Sequence, residues 1–186
     1  MAARVVLITK KIYLGLGSNL GDREDALKSA IQKLHRPDLR ITRISPVFET
    51  AALDYTHQGD FLNCVVEAET TLMPMLLLSR VQSIEREMGR KRLIPKGPRN
   101  IDIDILLHGR SVVHTARLQI PHPGIEMRRF VLEPLAELDS SLRHPVHKKT
   151  VREMLAMVPH QRLVRLSLRL DIPFLGPGGQ AGGGQE

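Results

Sequence analysis

The sequence predicts an α+β fold: a ferredoxin-like antiparallel sheet with helices packed on it, plus a small C-terminal helical extension. Three observations lead there. Short apolar runs at 12–17, 39–50, 61–70 and 100–109 read as strands. Two segments with helical spacing, one after Asp22 and one after Pro74, fall between them. The resulting order is strand, helix, strand, strand, helix, strand, the ferredoxin-like pattern rather than a βαβαβ series.

Each element has a local reason. IYLGLG, 12–17, is a short strand and GSNLGD turns the chain. Asp22 is placed to cap a helix running to about His35, with Ala26, Leu27, Ala30, Ile31 and Leu34 as its apolar face. Pro37 and Asp38 stop it. LRITRISPVFET, 39–50, is expected as one strand with an irregularity at Pro46. FLNCVVEAET, 61–70, is the next strand. Pro74 starts a helix that Gly89 ends. NIDIDILLHG, 100–109, is the last strand of the pattern, and 110–160 adds one or two helices. QRLVRLSLRL, 161–170, fits either a final strand or a loose segment.

The 186 residues suffice for one core, expected over 1–174, and the Gly-rich end, 175–186, is expected to be disordered. Cys64 stands alone, so no internal disulfide can form, and it reads as a small core residue. The N-terminal run is broken by Lys10 and Lys11 too early for a secretory segment, and no stretch has the length of a membrane span. A cytoplasmic protein without a membrane partner is expected. The charge of +7 favours an anionic partner without choosing among nucleotide, nucleic acid and lipid.

The last strand poses the sharpest question. Residues two apart on a strand share a face. Asp102 and Asp104 therefore share one face, and Ile101, Ile103 and Ile105 the other. Two carboxylates whose α-carbons are roughly 6.5–7 Å apart along a strand can lean inward around metal ions that sit about 3.5–4 Å apart in phosphoryl-transfer sites. D-x-D alone also fits a wet sheet surface. The preceding loop decides, because Arg90, Lys91, Arg92, Lys96 and Arg99 crowd it. Carboxylates for metal beside cations for phosphate is the arrangement phosphoryl transfer needs.

GPRNIDIDILLHG followed by IPHP at 120–123 resembles the 6-hydroxymethyl-7,8-dihydropterin pyrophosphokinases of folate biosynthesis. LGLGSNLGD, FET, FLNCVVEAET and QSIEREMGR match in order, so the resemblance covers about residues 12–158. It implies transfer of pyrophosphate from ATP to the pterin hydroxymethyl group, giving AMP. It also implies two Mg²⁺ ions on Asp102 and Asp104, with Arg92 and Arg99 as catalytic, ATP-contacting arginines. Gln82, Ile105, Arg117, Gln119, His122 and Arg128 match further ATP-site positions. Glu85 lies one turn from Gln82 on the same helix face. Phe61 and Phe130 match the pair of rings that sandwiches the pterin. Asn63 matches a contact to the ring edge, and Thr50 and Leu53 largely main-chain contacts. The partners implied are the two small substrates, with no nucleic acid, and a monomer is expected. This sequence departs from the family pattern at Lys96, where many members carry an aromatic. The stretch 90–99 looks one residue short, and Ala51 and Ala52 replace a proline pair. The 90–99 loop is expected to act as a mobile lid over the triphosphate.

Two other readings fit the sequence less well. The glycines of GLGSNLG lack dinucleotide-fingerprint spacing. A basic ferredoxin-like RNA-binding module would want stacking aromatics on its central strands, and 61–70 holds one aromatic.

Overall fold

The computed structural model describes residues 8–51, 58–89 and 97–174. Leu53, Arg92, Lys96, most of the 90–99 loop and the Gly-rich end lie outside the described residues. The elements run β1 (Lys10–Ser18), α1 (Arg23–Leu34), β2 (Leu39–Ile44), β3 (Phe48–Thr50), β4 (Phe61–Thr70), α2 (Pro74–Glu87) and β5 (Asp102–His108). They continue as β6 (Val113–His114), β7 (Gln119–Ile120), α3 (Arg129–Asp139), α4 (Val151–Met157) and β8 (Leu163–Arg165). All strand pairings are antiparallel.

In the main sheet β1 and β4 are central, β5 flanks β1, and β2 and β3 share the other side of β4. This is the expected ferredoxin-like order. The predicted strand 39–50 is two strands. Pro46 has no N–H to donate, so the ladder breaks there, and Ser45 Oγ instead accepts from Val65 N at 2.9 Å. Residues 161–170 resolve into both readings: three of them pair with β3, and Leu166, Leu168 and Leu170 then pack against the core.

The sheet buries both faces differently. Ile12, Leu14, Leu16, Cys64, Val66, Ile103 and Ile105 join α1 and α2 in one core. Asp22 caps α1 through Asp25 N at 2.9 Å, and Gly89 leaves α2 with φ +80°. Burial of Cys64 in this core pushes its thiol up to about 12. On the opposite face Tyr13, Val65, Leu106 and Leu107 meet α3 and α4. The C-terminal helices thus cover only part of that face. The uncovered part carries Phe61, Asn63, Gly15, Gly17, Asp102 and Asp104.

A bulge in β5 explains its mixed pattern. Leu14 pairs with Ile105 and Tyr13 with Leu107, so Leu106 is an extra residue. Asp102 and Asp104 keep the open face, and after the bulge both Leu106 and Leu107 turn toward α3.

Candidate active site

Cross-strand register assembles the site. Gly17 pairs with Asn63 on one side and Asp102 on the other, and Gly15 with Val65 and Asp104. The two glycines leave a floor between the Asn63 and aspartate rows. A Cβ on Gly17 would stand 3.0 Å from Asn63 Oδ1 and 3.6 Å from the Phe61 ring.

Above this floor lies a concave pocket, partly open to solvent. Thr50, Phe61, Asn63, Arg99, Arg128 and Phe130 line it together with the two aspartates. Asn63 Nδ2 donates to Thr50 Oγ1 at 2.8 Å. That bond leaves the Asn63 carbonyl as the acceptor lying over Gly17.

A second pocket lies across β5, at the sheet edge. Gln82 and Glu85 from α2, Ile105, Arg117, Gln119 and His122 line it. Arg117 sits on the tight turn between β6 and β7, where Thr115 Oγ1 accepts from Leu118 N at 3.0 Å and Arg117 N at 3.3 Å. His122 is fastened to β5 by its N–H to Leu106 O at 3.0 Å. Asp102 and Asp104 line both pockets and stand between them.

Of the residues expected in the site, every one within the described segments therefore lines one pocket or the other. Glu85 differs from the usual fate of a lone helical Glu. It is only 5% exposed, and its Oε1 accepts from Ile103 N at 2.9 Å. That N–H lies on the outer edge of β5, between the two aspartates.

Cations hold the carboxylates. Arg99 Nη1 is 3.0 Å from Asp102 Oδ2, and Arg128 Nη1 is 3.7 Å from Asp104 Oδ2. The same two guanidinium groups stand over the rings, Arg99 5.4 Å from the Phe61 centroid and Arg128 5.8 Å from that of Phe130. Arg99 Nε is buried and has no hydrogen-bond partner among the described residues. Burial and the neighbouring Asp102 push the Asp104 carboxyl above the usual range, against the pull of His122, Arg128 and Arg99. Burial pushes His122 below its ordinary value. Its Nδ1 accepts from Gly124 N at 3.0 Å, so the neutral ring carries its proton on Nε2, which is 3.8 Å from Asp104 Oδ2.

One cluster elsewhere among the described residues has metal-ligand types: Glu126, His144 and His147. His144 Nδ1 already accepts from Val146 N at 3.3 Å and His147 N at 3.1 Å, and His147 Nε2 lies 2.6 Å from Glu126 Oε1. These bonds staple two turns together and line neither pocket. No described helix is long and apolar enough to cross a membrane.

The family model described as 7,8-dihydro-6-hydroxymethylpterin-pyrophosphokinase matches residues 13–140. The chain is 45% identical over 142 residues to the 2-amino-4-hydroxy-6-hydroxymethyldihydropteridine pyrophosphokinase of Aquifex aeolicus, covering 76% of this chain and 88% of that one. It is 46% identical over 127 residues to the Bacillus subtilis protein of the same name, covering 68% and 76%. Among solved structures it resembles wild-type Plasmodium falciparum HPPK-DHPS with pterin and p-hydroxybenzoate, with TM-score 0.64 and 17% identity. That match covers 80% of this chain but 42% of the solved one, and the likeness is one of fold.

Proposed function

The chain belongs to the 7,8-dihydro-6-hydroxymethylpterin-pyrophosphokinase family, and from that premise we infer how its site divides the work. The reaction is transfer of pyrophosphate from ATP to the hydroxymethyl group of 6-hydroxymethyl-7,8-dihydropterin, a step in folate synthesis. The pterin lies in the pocket floored by Gly15 and Gly17, between Phe61 and Phe130. ATP lies in the pocket across β5. The observation that carries this reading is that Asp102 and Asp104 line both.

The residues act in the following way. Asn63, held by Thr50, turns its carbonyl to the donor edge of the ring. The rings of Phe61 and Phe130 exclude water and orient the plane, so that the hydroxymethyl oxygen meets the β-phosphorus of ATP. The hydroxyl proton passes to solvent as the bond from that oxygen to the β-phosphorus forms, the bond from the β-phosphorus to the α,β-bridging oxygen breaks, and AMP leaves carrying that bridging oxygen. Arg99 and Arg128 are the cations for the charge on the transferring group. His122, neutral and protonated on Nε2, is a donor rather than a base. Asp102 and Asp104 are hard oxygen donors suited to Mg²⁺, which when bound neutralises phosphate charge and polarises the reacting oxygens.

The test is incubation of the protein with ATP, Mg²⁺ and the pterin alcohol, with chromatography of the spent nucleotide. Pterin-dependent AMP is expected. Stoichiometric ADP, or no pterin-dependent turnover, would overturn the reading.

A further inference from the structure

We propose that Asn19 is a positioning residue that ties the two rims of the pterin pocket together and so fixes the Arg99–Phe61–Asp102 group. It follows β1 in the GSN segment, where no dinucleotide role applies, and is 7% exposed. A primary amide offers one acceptor and two donor hydrogens. Both ends of Asn19 are used, on two different loops. Oδ1 accepts from Arg99 N at 2.9 Å, and Asn19 N donates to Arg99 O at 3.2 Å. Nδ2 donates to Gln58 Oε1 at 2.9 Å and Gly59 O at 3.2 Å.

The two loops need such a tie. Residues 58–60 and 97–99 belong to no strand or helix. Each nevertheless contributes a pocket-lining side chain, Gln58 and Arg99. The Arg99 guanidinium must reach Asp102 and the Phe61 ring at once, and its backbone is bonded on both sides to Asn19. Residues 58–60 lead directly into Phe61. Arg23 Nη1 adds a separate anchor at Asp60 O, 2.8 Å away, so these residues are held at their far end without Asn19. Asn19 thus sets the spacing between the loop bearing a phosphate cation and the loop entering the stacking ring. No shorter or purely accepting side chain fills both roles.

This proposal rests on the pyrophosphokinase reading, and the test separates the two. The experiment compares wild type, Asn19→Ala and Asn19→Asp, reading kcat and pterin KM from AMP release, binding of pterin and of a non-hydrolysable ATP analogue with Mg²⁺, and thermal unfolding. Asn19→Asp keeps the acceptor for Arg99 N but loses both donors and sets a carboxylate against Gln58 Oε1 and Gly59 O. We expect it to weaken pterin binding about ten-fold with little change for the ATP analogue. Asn19→Ala should add a kcat loss of ten-fold or more. Combined with Arg99→Ala, it should cost far less than the product of the two single losses, because it acts through Arg99. Should Asn19→Ala fail to fold, Asn19→Asp alone decides. A folded variant with wild-type pterin KM and kcat overturns the proposal, as does equal weakening of both ligands. Failure of wild type to release pterin-dependent AMP would instead sink the underlying reading.

Discussion

The two pockets on either side of the aspartate pair are built by different means. The pocket proposed for pterin stands on the middle of the sheet. Its floor is Gly15 and Gly17 of the central β1, and Asn63 and Phe61 come from the central β4. The pocket proposed for ATP stands on the sheet edge and is lined by α2, the outer side of β5 and the β6–β7 turn. A flat ring needs a rigid slot with fixed walls, which paired strands provide. A long, charged triphosphate needs an open groove and several donors on turns. The carboxylates sit where the two designs meet. That contrast can be broken or sharpened by substitution.

The largest effect is expected at the meeting point. Asp102→Asn and Asp104→Asn keep shape and remove charge, so each should cut turnover at least about a hundred-fold in a folded protein, the scale of losing one key electrostatic group. Steady-state AMP release with circular dichroism checks this. A folded double variant with near-normal turnover would break the account of the shared boundary.

Next come effects confined to one side. Stacking is worth about 1–3 kcal/mol per ring in nucleic-acid binding, so Phe61→Ala or Phe130→Ala should weaken pterin binding roughly ten-fold or more. Calorimetry should find the ATP analogue little changed. Gly17→Ala should act in the same direction, because its Cβ would crowd Asn63 Oδ1 at 3.0 Å. On the other side, Arg117→Ala and Gln82→Ala each remove one polar contact worth about 0.5–1.5 kcal/mol. Their ATP affinity should fall a few-fold with pterin affinity unchanged.

The smallest effect concerns stability. The Asp104 carboxyl is raised above its ordinary 3.8, so the folded state resists its ionisation. Stability is then lost as pH rises through 3.8 toward the raised value. Without Mg²⁺, Asp104→Asn should melt higher than wild type, with an advantage that grows as pH rises above about 3.8. Thermal scans across that range check it. An advantage that shrank with rising pH would contradict the assigned direction.

The pocket residues were legible in the sequence to different degrees for the same structural reason. Period-two alternation gave the face of Asp102 and Asp104, because strand geometry fixes it locally. The charge of the loop before them pointed to phosphate, and of its basic residues Arg99 is described and lines the pocket. Gly15 and Gly17 looked like a failed fingerprint, since their value lies in what stands opposite them on β4 and β5. Spacing two in a central strand was the available signal. The bulge at Leu106 and the burial of Glu85 depend on register and on α2 lying against the β5 edge, which no local pattern encodes. The break of 39–50 at Pro46 was half visible, as an irregularity without its consequence. Asn19 sat inside a motif read as a turn, and its partners are 39 to 80 residues away.

The proposed division of the site puts pterin and ATP in separate pockets that meet at Asp102 and Asp104. It is tested most directly by titrating pterin into wild type and Phe61→Ala, each already saturated with the ATP analogue and Mg²⁺. Wild type should bind one pterin on top of the analogue, and Phe61→Ala should lose pterin affinity roughly ten-fold while holding the analogue as wild type does. Competition between the two ligands in wild type, or equal loss of both in the variant, would contradict the claim.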